Sequence, residues 1–351
     1  MTGTSEVEEA LASARRLADE VLFPSAQQVD RAERVPDGHL RALADAGLFG
    51  AVGPASAGGL ALGPREFWRV AAALGGGCGA TFFVWVQHHM TVQILRTSDN
   101  SSLVEELLGP LCAGTSVAGV AFAHLRRSGT PAIVATRIDG GWRFDGFSPW
   151  TTSWGIADRF TVAAETDDGD VVWGVLEADA AGIEANPLEL PVFGATGTMM
   201  LRLEGCVVPD RQVGLIQPVG EWREADRLRS APGTPATLGI AQRCVRLLGE
   251  FEDPQAAETA ARLAVECDER AAAFDDLPVA LASGAATVAD GARHRAACIA
   301  LAQRCATALL AAVGGRGMDL AHPAQRLARE AAFFVIQAQT ADGRAATLAS
   351  I

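Results

Sequence analysis

The chain has 351 residues, 49% of them apolar, and a formal net charge of −13. That length and apolar content suit a globular protein of two or three domains, and the acidic balance excludes the basic face that a nucleic acid needs. The sequence holds neither Lys nor Tyr, so a lysine Schiff base and a GK[ST] phosphate loop are both excluded.

Residues 1–115 read as helices. "VEEALASARRLADEV" repeats its apolar positions at three- and four-residue spacing, and "DGHLRALADAGLFGAV" starts at an Asp37 cap and ends in glycine. "GPREFWRVAAALGGGCGATFFVWVQHHMTVQIL" predicts two helices split at glycines 75–77, the second apolar nearly all round and therefore buried. From 116 to 218 the period changes to two. "AIVATRI", "GWRFDGF", "RFTVAAET", "VVWGVLEA" and "MMLRLEGCVV" are short strands between Gly, Asp and Pro turns, which predicts an antiparallel sheet or small barrel. From 219 to 351 four runs with wide apolar stripes, the last being "PAQRLAREAAFFVIQAQTADGRAATL", predict a helical bundle. The expectation is an α+β chain of three domains: 1–115, 116–218 and 219–351.

Seven cysteines stand singly, with no CxxC pair, and read as buried free thiols of a reducing compartment. The acidic amphipathic N-terminus is not a signal peptide. No apolar run reaches the roughly 18 residues of a membrane span. These features predict a soluble cytoplasmic protein with no membrane or nucleic-acid partner.

One stretch asks for an explanation. "FSPWTTSWGIAD", residues 147–158, crowds Trp150, Trp154, Thr151, Thr152 and Ser153 into what reads as a loop, although indole is costly to expose. In the neighbouring "FFVWVQHHM", His88 and His89 are adjacent and of the type that titrates near neutrality. Adjacent residues on a helix point about 100° apart. No third ligand is suitably spaced, so no metal site is expected.

The order of segments and four motifs resemble the acyl-CoA dehydrogenase superfamily of flavoproteins. "PDGHLRALADAGLFGAVGPASAGGLALG" is similar to its first-domain signature, and "GGWRFDGFSPWTTSWGIADRFTVAAET" to its flavin-wrapping strands, with a W-x-T followed by Ala-Asp. "VFGATGTMMLRLEGCVVPDRQVG" and "AVGGRGMDLAHPAQRLAREAAFFVIQAQT" resemble its V-x-V-P strand pair and its C-terminal GG-x-G…P…R segment. The resemblance implies FAD, with FMN as an alternative. Trp150 would then lie on or near the isoalloxazine, and Thr152 would hydrogen-bond its N5/O4 edge. The alternative for Trp150 and Trp154 is plain packing.

By the same resemblance "GVAFAHLRRSGTPA" stands where a flavin-binding Thr-Glu-Pro…Gly-Ser-Asp motif is expected. Ala123 and His124 replace Thr and Glu, and Ser128 or Arg127 serves the pyrophosphate. Gly314, Gly315 and Gly317, with Arg316, would approach the adenosine part of FAD, often across a dimer interface; the alternative is a helix-ending turn. A Rossmann loop is excluded there because a helix precedes it.

The family's catalytic glutamate is missing. Ala338 and Gln339 fall at its Glu-Gly, with Thr340 retained, and the second known location of the base carries Arg229 and Ser230. Glu224 or Asp226 would substitute only if that helix started elsewhere. The bundle also lacks the R-x-x-F-G stretch and reads as shortened. Three functions therefore stay open: an FAD-dependent dehydrogenase acting on the CH–CH group of an acyl thioester, carried by CoA or a carrier protein; a flavin monooxygenase or oxidase, in which His88 and His89 face the flavin; and a non-catalytic subunit of a heteromer with a catalytic homologue. The family implies a homodimer or homotetramer. His39, His294 and His322 read as surface residues, and His124 as a flavin-edge candidate.

Overall fold

The chain is described by a computed structural model that covers residues 4–127 and 129–351. Its first part is helical: α1 (Thr4–Leu17), continued by a π turn at Ala18–Leu22, then α2 (Phe23–Val29), α3 (Asp37–Asp45), α4 (Pro64–Gly77), α5 (Gly79–Arg96) and α6 (Ser101–Ala113). Asn100 caps α6 by accepting from the Leu103 N–H, while its amide donates to the carbonyls of Arg211 and Val213, tying this helix to the sheet domain.

The strands are β1 (Ala118–Ala121), β2 (Ile133–Ile138), β3 (Gly141–Thr151), β4 (Arg159–Glu165), β5 (Asp170–Glu177), β6 (Ile183–Pro187), β7 (Met199–Pro209) and β8 (Val213–Pro218). They form one sheet in the order β6-β7-β3-β2-β4-β5-β8, with β1 paired to β4. Most neighbours in the sheet pair antiparallel, but β1 runs parallel to β4, and β2 meets β4 in parallel at Val134–Glu165. Alternation within a strand cannot reveal such a pairing, because it is set by the crossover and not by the side-chain pattern.

β3 is longer than its sequence run. It extends to Thr151, so Trp150 belongs to a strand and the loop begins at Thr152. The β3–β7 register shifts between Ser148 and Thr151, and this irregularity re-aims Trp150. The loop after it is pinned by the Trp154 N–H, which donates to the Gly197 carbonyl. Gly197 sits at φ +60°, and a Cβ there would lie 2.2 Å from the Trp154 oxygen, so only glycine fits.

The bundle comprises α7 (Val219–Ser230), α8 (Ala236–Gly249), α9 (Pro254–Ala282), α10 (Val288–Val313), α11 (Pro323–Phe333) and α12 (Ala341–Ala349). A Thr287–Asp290 capping box opens α10. The last predicted helix is in fact two, divided by a turn in which Ala338 adopts φ +48°. α10 also contains a stretch apolar and long enough to cross a membrane, contrary to the sequence expectation. Half of it is buried inside the described chain, as in a bundle's core helix.

The helix break expected at glycines 75–77 falls at Cys78. These glycines form the last turn of α4 because α8 lies almost backbone to backbone against them. A Cβ on Gly76 would be 2.6 Å from the Gly239 carbonyl oxygen, and one on Gly239 would be 1.9 Å from that of Ala72. Gly239→Ala should therefore cost about 3 kcal/mol or more in urea unfolding. Gly38→Ala on α3, where a Cβ meets nothing within 4 Å, should stay within about 1 kcal/mol of the parent. Equal midpoints for the two variants would show that α4 and α8 can separate at little cost.

Candidate active-site cavity

A cavity of about 1690 Å³ lies where the three parts of the chain meet. It exceeds the roughly 300–1,000 Å³ of ordinary small-molecule pockets, so it has room for a large cofactor together with a substrate. α5 supplies one wall through Val86, Gln87, His89, Met90 and Gln93. The sheet contributes Phe122, Ala123, Trp150, Thr152 and Thr198, and the bundle contributes Arg229, Ser230, Arg295 and the turn Gln337–Gln339. A smaller hollow of about 730 Å³ lies between α1, α4, α8 and α9. Five of the charged groups that line it are paired, Asp19 with Arg243 and Arg246, and Asp275 with Arg69.

Trp150 is 48% exposed, an indole face left open at the cavity wall. Thr152 is buried and bonded to Thr198 at 3.2 Å, and Thr198 to Thr196 at 2.8 Å. Thr196 donates to the Phe193 carbonyl at 2.7 Å, which fixes the relay: Thr198 donates to Thr196, and Thr152 to Thr198. The Thr152 oxygen keeps lone pairs for a ligand. Trp154 stacks on Phe160 at 5.3 Å and does not line the cavity.

The adjacent histidines part company. His89 faces the cavity; its Nδ1 donates to the Trp85 carbonyl at 2.8 Å, leaving Nε2 bare and unpartnered. His88 is turned away and accepts the Ala118 N–H at 3.1 Å, fastening α5 to β1. Both are buried, and burial is the chief cause that holds His89 at a pKa of about 4 and pushes His88 well below the ordinary imidazole value.

His124 is buried with Nε2 donating to the Ala163 carbonyl at 2.9 Å; Ala123, not His124, reaches the cavity wall. Ser128 lies outside the described residues. Gly314, Gly315 and Gly317 form the turn after α10, outside this chain's cavity wall. His39 and His294 are buried, contrary to expectation. Ser25 and Thr81 hold His39 at 2.7 and 2.8 Å, and His294 packs edge-on to Phe274. His322 caps α11. Each of these rings fills a need for a polar partner or an aromatic contact that local pattern does not display.

No substitute base emerges. Glu224 is exposed, and Asp226 is gripped by Arg126 at 2.7 and 2.9 Å and by Arg229 at 3.1 Å. Burial would raise the Asp226 carboxyl, but those guanidinium groups outweigh it and hold the group below the usual carboxylate range. Among the described residues that line the cavity, Glu189 is the one carboxylate, and it is exposed. Ala338 does line the cavity, in its left-handed turn.

The sequence reading missed Arg295. It is 3% exposed, and its Nη1 donates to the carbonyls of Ala338 at 3.2 Å and Ser230 at 3.5 Å, while Nη2 donates to Gln337. The available signal was an arginine on the apolar stripe of α10.

The comparisons fit this geometry. Residues 4–115 match the family described as Acyl-CoA dehydrogenase, N-terminal domain. Benzylmalonyl-CoA dehydrogenase of Aromatoleum aromaticum is 31% identical over 202 residues, 56% of this chain. That stretch spans 53% of the relative, and the next two curated relatives are matched over 60% of their length. Butyryl-CoA dehydrogenase of Megasphaera elsdenii superposes with a TM-score of 0.81 over 100% of this chain and 99% of that one, at 18% identity. Residues 4–115 thus carry the acyl-CoA dehydrogenase N-terminal domain, and the whole chain has the fold of that superfamily. Dibenzothiophene monooxygenase of Paenibacillus sp. A11-2 shares the fold with a TM-score of 0.80 over 96% of this chain and 95% of that one, at 16% identity. At such identities the solved structures show the fold alone. The acyl-CoA dehydrogenase fold thus houses both names, and its homologues are FAD-dependent flavoproteins.

Five buried histidines, His39, His88, His89, His124 and His294, are held below the ordinary imidazole value by burial, stay neutral in the folded state near pH 7 and take a proton more readily when unfolded. His89, His124 and His294 are each held at about 4, mainly by burial. The unfolded chain binds more protons below about pH 6.5, so stability is full above that pH and falls as pH drops toward about 4. Each such group adds about 1.4 kcal/mol per pH unit to the slope in that window. Urea unfolding between pH 4.5 and 8 should show this, and His89→Gln should remove one proton's share. An unchanged slope in that variant would mean that His89 is charged in the fold.

Proposed function

We propose that this chain is an FAD-dependent oxidoreductase acting on the CH–CH group of a small acyl thioester. The observation that carries this reading is the joining, in one cavity, of the open Trp150 face, the Thr152 hydroxyl and the Ala338 turn. The residues suit a flavin. A flat aromatic ring needs an apolar wall, and Trp150, Phe122 and Ala123 provide one. The free lone pairs of Thr152 suit a ring N–H, while Arg127, exposed at the same cavity, suits a phosphate. Bound there, the flavin supplies hydride acceptance. The chain's own part is to hold the ring edge at Thr152 and to keep water from a mostly apolar chamber. The Gly314–Gly317 turn, outside this chain's cavity, is assigned in this reading to the cofactor site of a second copy.

The purified protein should be yellow with about one flavin released per chain. Thr152→Val should weaken flavin retention or shift its absorption while leaving the unfolding midpoint close to the parent's. A folded, colourless protein that takes up no added FAD would overturn the reading and leave the non-catalytic subunit.

One observation favours a second reading, oxygen chemistry on the same fold. A monooxygenase needs no α-proton base, and here Ala338 stands at the turn while the neutral His89 faces the chamber. Ala338→Glu separates the two: in a dehydrogenase cavity it should introduce solvent exchange of the thioester α-hydrogen, slow because the Arg295 guanidinium beside this turn lowers the basicity of the new carboxylate, read by NMR in deuterated buffer. No exchange in flavin-loaded protein would favour the oxygen-using reading.

A further inference from the structure

Arg295 is the least explained charge in the molecule. Its guanidinium is almost wholly buried and lines the cavity, and no carboxylate among the described residues pairs with it. A buried cation left without a counter-ion is costly. The other two buried arginines among the described residues obey the rule: Arg326 is paired with Glu330 at 2.7 Å and Arg243 with Asp19 at 2.6 Å. Arg295 has only backbone carbonyls. Of its five N–H donors, three are directed to Ser230, Gln337 and Ala338; Nε is buried with no acceptor, and one Nη2 hydrogen is uncommitted. Those are the two nitrogens with which Arg126 grips the carboxylate of Asp226.

The surroundings add positive charge instead of removing it. Burial, and then repulsion from Arg126, bring the Arg295 guanidinium down to about 10, so it is still a cation at neutral pH. Arg229 and Arg127 line the same cavity, and the nearby Asp226 is already shared between Arg126 and Arg229. Space is reserved for the side chain. A Cβ on Gly233 would fall 2.9 Å from the Arg295 Cγ, and one on Gly343 3.3 Å from Nε. The first turn of α12, capped by Thr340, lies on that side.

We infer that Arg295 is the anchor for a carboxylate carried by the acyl part of the substrate, so that the cavity takes half-thioesters of dicarboxylic acids in preference to plain fatty acyl thioesters. This deepens the proposed function and rests on it for the thioester. The anion arrives with the ligand, which is why the free chain holds no counter-ion. A carboxylate oxygen accepts from the uncommitted Nη2 hydrogen and supplies the counter-ion that the guanidinium lacks, and its binding is worth at least about tenfold over a neutral isostere.

The test is calorimetric titration of the full chain, as purified and with its flavin counted, using N-acetylcysteamine thioesters of butyric, malonic, succinic and glutaric acids. At least one dicarboxylic half-thioester should bind about tenfold or more tighter than the butyryl compound. Arg295→Met should abolish that preference while butyryl affinity changes less than about twofold, and Arg295→Lys should restore part of it, because the charge remains and the fork is lost. Should the Met variant fail to fold, the Lys variant alone decides, through a preference reduced but present. Equal affinity for neutral and acidic thioesters in the parent overturns the inference. So does a preference that survives Arg295→Met, an equal loss of all ligands, which marks a purely structural arginine, or a loss of flavin with the preference intact, which assigns the guanidinium to a cofactor phosphate. A carboxylate preference in protein that holds no flavin leaves the inference standing and overturns the oxidoreductase reading.

Discussion

α5 has almost no face to spend on water, and much of the architecture follows from that. Thirteen of its residues are buried, so its polar groups turn inside the protein for partners, and the Nε2 atoms of His88 and His89 are left without one. Trp85 donates to the Leu48 carbonyl, His88 accepts from Ala118, and Thr91 bonds Thr161 on β4. Those bonds run to the preceding loop, to β1 and to the sheet, and so fasten the helical domain to the β-domain. Val86, Gln87, Met90 and Gln93 recur at helical spacing and are only half-buried; that stripe faces the cavity. The cavity is therefore the side on which the central helix is not packed.

The same constraint explains how much could be read beforehand. The change of period near residue 116 and its return near 219 mark where burial switches from helix stripes to strand faces, and such switches are written locally. Trp150 and Thr152, singled out in the sequence by their crowding, both line the cavity. What local pattern cannot carry is partnership. His39, His88, His124 and His294 look alike in sequence, yet each answers a different distant group: Thr81, Ala118, Ala163 and Phe274. The parallel pairing of β1 with β4 is equally invisible, since it depends on where the chain returns from. The glycines of α4 read as a break because propensity is local, whereas their actual requirement is the backbone of α8.

Charge burial separates structure from function within the bundle. Arg326 and Glu330 are both inaccessible and neutralise each other, with burial pushing the Glu330 carboxyl up and Arg326 pulling it back. Arg126, Asp226 and Arg229 form a second closed group, partly open to solvent, that fixes α7 against the turn after β1. Arg295 belongs to neither. It spends its donors on the carbonyls of residues 337 and 338, so the turn that bears Ala338 is held by a cation instead of by packing.

That arrangement bears on Ala338, where the resemblance implies a catalytic glutamate. A carboxylate at position 338 would stand on the residue whose own carbonyl Arg295 already binds. A guanidinium that close favours the ionised carboxylate, lowering its pKa by about 1–3 units and making it a poorer proton acceptor. Alanine at 338 and arginine at 295 are thus consistent with each other in a way that glutamate and arginine would not be. Alanine keeps φ +48° at modest strain and leaves the volume beside the guanidinium free. In the proposed reading, the negative charge beside this turn comes with the ligand and not from the protein.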